Sequence, residues 1–148
     1  MAMQRIKVGM LLTIVTVTFV AVALSALTAL YSFHNTATIK AAGVSVYWYS
    51  NGTSPVTTID WGMLAPGETV TKTIYVRNNG TVPVVLSMTT SGWSPAAAAN
   101  YITVTWDRSG YVLNAGHIVG VNLTLSVNPA ISGITNFSFS IIISGTEQ

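Results

Sequence analysis

Residues 69–88, "TVTKTIYVRNNGTVPVVLSM", decide how this chain folds. In the first half, Val70, Ile74 and Val76 alternate with Thr71, Thr73 and Tyr75. That two-residue period is the signature of a strand with one buried and one wet face, whereas a helix repeats its apolar positions every three to four residues. Asn79-Gly80 then supplies a chain reversal, because both residues tolerate the backbone angles of a tight turn. Beyond it Val82, Val84, Leu86 and Met88 take up the same period. The stretch reads as two strands joined by a short turn.

The same pattern recurs on either side. "VSVYWYS" groups Val44, Val46 and Trp48, "YITVTWD" groups Ile102, Val104 and Trp106, and "IVGVNLTLSVN" groups Val119, Val121, Leu123, Leu125 and Val127. "NFSFSIIIS" groups Phe137, Phe139, Ile141 and Ile143, and "TTIDW" adds a further short run. Between the runs stand Asn51-Gly52, Ala65-Pro66-Gly67, Arg108-Ser109-Gly110 and Ala115-Gly116, all chemically suited to turns. One helical turn is expected at "SPAAAANY", with Ser94 as its cap and Pro95 at its first position. Residues 44–148 therefore predict an all-β domain: an immunoglobulin-like or jelly-roll-type β-sandwich of seven or eight strands, with a small closed barrel as the alternative. The Cys, Trp, Cys spacing of antibody domains is missing, since the chain has no cysteine.

The N-terminal part has a different character. From Val8 to Phe33 no charged residue occurs, and as a helix this run would span roughly 39 Å, enough for a bilayer core. Arg5 and Lys7, in the basic segment 1–7, put the N-terminus on the cytoplasmic side and the rest of the chain outside. Small residues crowd the second half, so a signal peptidase has candidate sites before Ala26, after Ser25, and before Leu30, after Ala29. Retention as a membrane anchor is the alternative. A third is a prepilin-type cut before the apolar run, for which "RIKVGML" has the basic residue and the glycine but places Val8 between them.

Composition closes off several functions. Apart from Arg5 and Lys7, four basic residues balance four acidic ones, so the outer part lacks the positive field on which nucleic-acid binding depends. Without cysteine there is no disulfide, thiolate metal site or cysteine nucleophile. His34 and His117 stand far apart, and neither has a carboxylate at ligand spacing. Asp60, Glu68 and Asp107 are scattered, Asp107 reading as a turn residue and Glu68 as a solvated strand start. None of the sequence patterns of serine hydrolases, zinc proteases or phosphate-binding loops is present. No enzyme and no cofactor are expected. Trp48, Trp61, Trp93 and Trp106 read as packing residues, with a carbohydrate-stacking face as the other possibility.

Four sequons are legible, at Asn51, Asn79, Asn122 and Asn136. The first two fall in turns. In the last two, asparagine and hydroxyl partner fall on the polar side of a strand, so all four are expected to face water.

Between the apolar run and the first strand pattern lies the polar segment 34–43, a linker or an added strand. "FHNTATIKAAGVSVYW" followed by "LAPGETVTKTIYVRNNGTVPVVLSM" resembles the TasA/camelysin family of secreted biofilm fibre proteins and the related archaeal bundling pilins. The matching residues are Leu64, Pro66, Gly67, Glu68, Val70, Lys72, Asn78, Asn79 and Gly80, and the likeness covers residues 30–90. Camelysins have been described as metal-dependent proteases, yet this sequence has no ligand cluster to support that activity. What the resemblance implies is an extracellular homopolymer, a pilus or matrix fibre, in which the segment His34, Asn35, Thr36, Ala37, Thr38 and Ile39 of one subunit adds as a donor strand to the next. Strand addition satisfies the unpaired backbone groups of a sheet edge. A membrane-anchored binding module, or a type IV pilin-like filament retaining its hydrophobic helix, are the other readings.

Overall fold

The computed structural model describes residues 35–148, and within them the chain is a β-sandwich of nine strands. In chain order these are β1 (Asn35–Ala42), β2 (Ser45–Tyr47), β3 (Thr58–Gly62), β4 (Thr69–Arg77), β5 (Val84–Ser94), β6 (Ile102–Trp106), β7 (Val112–Leu113), β8 (Ile118–Val127) and β9 (Ser138–Glu147). One sheet has the order β3-β1-β9-β5-β7 and the other β2-β4-β8-β6. The hydrophobic run, His34 and the cleavage region at Ser25, Ala26, Ala29 and Leu30 lie outside the described residues.

The core follows the period-two faces read from the sequence. Ile74 and Val76 of β4, Val121, Leu123 and Leu125 of β8, and Ile141 and Ile143 of β9 are fully buried. Across the facing sheet Ile59, Leu86 and Ala37 are equally enclosed. Burying each large aliphatic side chain stabilises the fold by about 1.5–3 kcal/mol, so this two-layer core is the main favourable contribution to the fold. Packing is tight where the sheets meet near Val44. A Cβ added to Gly145 would lie 2.6 Å from Val44 Cγ1 and 2.9 Å from Val84 Cγ2.

Four expectations need correction. The sandwich begins at Asn35 rather than at residue 44, because the polar segment is itself a strand; together with the two-residue β7 this raises the count above seven or eight. Val82 is exposed and precedes β5, since Pro83 intervenes before the ladder starts at Val84. The helical turn is a 3₁₀ turn at Ala96–Asn100 preceded by Pro95, with no side-chain cap; Ser94 still belongs to β5, where it pairs with Ser138. Asp107 does more than sit in a turn, as its carboxylate accepts hydrogen bonds from the Asn122 backbone N–H and side-chain amide, both at 3.0 Å.

A candidate assembly strand and the surface around it

β1 has the sequence NTATIKAA, which alternates Asn35, Ala37 and Ile39 with Thr36, Thr38 and Lys40. The first set is buried and the second faces outward. This polar strand is held in the interior of its sheet. It runs antiparallel to β3, from Asn35↔Gly62 to Thr38↔Thr58, and parallel to β9, from Thr36↔Ser138 to Ala42↔Ser144. The expected donor segment, Asn35 to Ile39, is thus paired with its own chain in the single molecule. The physical reason is that Ala37 and Ile39 complete the inner face, while two strands saturate the backbone of β1 on both sides.

Asn35 fixes the register at the start of this strand. It is 3% exposed, and its Nδ2 donates to the Gly62 carbonyl at 2.8 Å while its Oδ1 accepts from the Phe137 N–H at 3.1 Å. One side chain therefore bridges both neighbours where the ladder between β1 and β3 shifts register. A slip by one residue would turn Asn35 outward and strand both backbone groups, so the pairing has a defined register. Beside it lies a cavity of about 90 Å³, lined in part by Leu64, Pro66, Ile134 and Phe137. At the other end the strand turns sharply into β2 through Gly43, at φ 72°, where an added Cβ would lie 2.5 Å from the Gly145 carbonyl oxygen.

The sequence-conspicuous motif residues have structural work here. Asn78 is fully buried; its Nδ2 donates to the carbonyls of Val82 at 2.8 Å and Leu113 at 3.0 Å, and its Oδ1 accepts from the Gly80 N–H at 2.9 Å. It holds the reversal between β4 and β5 from inside. Glu68 accepts from the Ala65 N–H at 2.7 Å and closes the Pro66-Gly67 turn.

All four sequon asparagines are exposed. Asn51 caps its own turn by accepting from Thr53 N and Oγ1, and Asn79 donates to Ser45 Oγ. Asn122 is the most engaged, because it also accepts from Thr73 Oγ1 at 2.9 Å. Asn136 lies just before β9. Around Asn122 the outer face of the four-stranded sheet is a hydroxyl surface, with Thr69 bonded to Ser126 and Thr71 to Thr124, each at 3.1 Å.

The tryptophans do not form one stacking platform. Trp61 is buried, and Trp93 stacks on Phe139 with ring centroids 4.1 Å apart. His117 stands in the turn before β8, exposed. Among the described residues no three His, Cys, Asp or Glu side chains gather as metal ligands.

No family model and no curated protein matches the chain. Among solved structures it is similar to the ASH/PapD-like domain of human CEP192 (PapD-like domain 7), with 9% sequence identity, coverage of 79% of this chain and 87% of that chain, and a TM-score of 0.37.

Proposed function

We propose that this chain is an extracellular structural subunit of a pilus or biofilm-matrix fibre, exported by its hydrophobic N-terminal run and assembled by exchange of β1. In the assembled form, β1 of one copy occupies the slot between β3 and β9 of the next. The observation that supports this reading is the seat of β1: an N-terminal strand, joined to the rest by the single tight turn at Gly43, whose contacts are all with β3 and β9 ladders and the core beneath them. A neighbouring copy offers an identical slot, so exchange preserves those contacts, which is why swapping of identical elements is a low-cost route to assembly. Parallel pairing with the last strand, β9, also means that lending β1 leaves the antiparallel ladders of the remaining strands in place. Exposed Asn51, Asn79, Asn122 and Asn136 would carry glycans on the outside of such a fibre.

A second reading has an observation of its own. Because β1 pairs within its own chain, a membrane-anchored, monomeric sandwich acting as a binding module needs no exchange at all. Thr38 and Ser140 are outward-facing register partners across β1 and β9, and the chain contains no cysteine. Thr38→Cys with Ser140→Cys in the full-length chain, oxidised and run on a non-reducing gel, separates the two. Exchange predicts a covalent ladder of multimers from surface material. An internal disulfide with monomer mobility throughout would overturn the fibre.

A further inference from the structure

A different strand carries an inference that does not rest on the exchange of β1. β5 is bonded along its length to β9, from Val84↔Glu147 to Ser94↔Ser138. On its other side it meets β7 only at Val84 and Val85. Leu86 is the last residue of β5 whose outward groups are taken, its N–H donating to the Tyr111 carbonyl and its carbonyl accepting from the Gly110 N–H, both at 2.9 Å. Backbone groups alternate sides along a strand, so those of Met88 and Thr90 point the same way as those of Leu86. Among the described residues no hydrogen bond takes them.

This open edge lacks the devices that usually protect one. From Asn78 to Trp106 there is no charged residue, and from Val84 to Ser94 no proline. The far edge of the same sheet is guarded differently: β3 is short and carries exposed Asp60. An unprotected edge of regular backbone is a template for another strand. Its regular part ends at a register shift after Ser91, with Gly92 at φ 64°. The template is therefore Ser87 to Ser91.

We propose that this edge pairs with the same edge of a second copy, antiparallel about a two-fold axis at Thr89. Two features favour a second copy. The strand is uncharged, so laying it against itself opposes no like charges. The register is also self-complementary: with Thr89 opposite Thr89, Met88 meets Thr90 of the other copy and Thr90 meets its Met88. Those are the residues with free outward groups, and each pair exchanges both of its N–H···O bonds. The contact is isologous, joins the two five-stranded sheets into one and closes as a dimer. In a fibre it would be a lateral contact between filaments.

In the full-length chain in detergent, Thr89→Cys places the only cysteine on the two-fold axis, where opposed side chains of a non-hydrogen-bonded pair are close enough to oxidise to a disulfide. The expected result is a covalent dimer from Thr89→Cys and monomer from Thr58→Cys, on the exposed face of β3. Without cysteine, sedimentation at about 100 µM should give a dimer that Thr89→Lys, which sets like charges opposite, converts to monomer. Thr90→Pro, which removes one outward N–H, should do the same. Equal cross-linking from Thr58→Cys, a parent chain that stays monomeric, or a dimer indifferent to Thr89→Lys would each overturn the proposal. Ladders from the Thr38/Ser140 pair report on β1 alone, so either idea can fail without the other.

Discussion

The two sheets of this sandwich are closed in contrasting ways. In the four-stranded sheet every neighbour is antiparallel, and β4 runs in an unbroken register against β8 from Thr69↔Ser126 to Arg77↔Ile118. In the five-stranded sheet the first described strand lies parallel to the last, so its middle is built from opposite ends of the described chain. The first sheet is locked by its interior strands. The second depends on a strand that sits at the start of the described chain and on an edge that stops being paired after Leu86. One layer thus supplies rigidity, while the other carries the two places at which copies of this chain can meet.

Removing β1 tests that contrast most severely. Deleting Asn35 to Ala42 takes the inner-face residues Ala37 and Ile39 away and leaves β3 and β9 without their shared partner. Such a variant should lose its cooperative thermal transition, followed by circular dichroism, and regain it when the peptide NTATIKAA is added. A deletion that unfolds no more readily than the parent would show that the two sheets are equally self-sufficient.

A smaller effect is expected from Asn35→Ala. It strands the Gly62 carbonyl and the Phe137 N–H, and a buried polar group left without its partner costs about 1–3 kcal/mol. Denaturant unfolding should register that loss, and hydrogen exchange should place the faster amides in β1 and β3 rather than in β4 and β8. The smallest effect belongs to the hydroxyl face of the other sheet. Thr71→Val removes one exposed bond to Thr124 and should change stability by no more than about 0.5 kcal/mol in either direction. A loss several times larger would mean that the threonine rows support the sheet as strongly as Asn35 does.

Much of the fold was legible because burial on a strand follows a period of two, and this sequence keeps that period over nearly every run. Val119 to Val127, Phe137 to Ile143 and the pair around Asn79-Gly80 all lie where alternation puts them. The segment 34–43 was legible as strand-like but not as a member of this sandwich. Its pattern of Asn, Thr, Ala and Lys has only Ile39 as a large apolar side chain, and a strand with so weak an apolar face gives no sign of which sheet it joins. Asn35 and Asn78 read as polar linker and turn residues, yet both are buried. Nothing local marks an asparagine whose partners lie on strands remote in sequence, such as Phe137. The bond from Asp107 is hidden for the same reason, as its partner Asn122 comes from another strand.

That the outer domain is made of strands, which side of each is apolar, where most of the turns fall and that its charges balance can all be read along the chain, because these depend on a residue and its near neighbours. That β1 lies between β3 and β9, that β5 is left open from Ser87 to Ser91 and that two asparagines are buried emerges only once the chain has folded. Those outcomes are set by which strands become neighbours, and pairing is a property of distant segments competing for the same backbone hydrogen bonds and the same core.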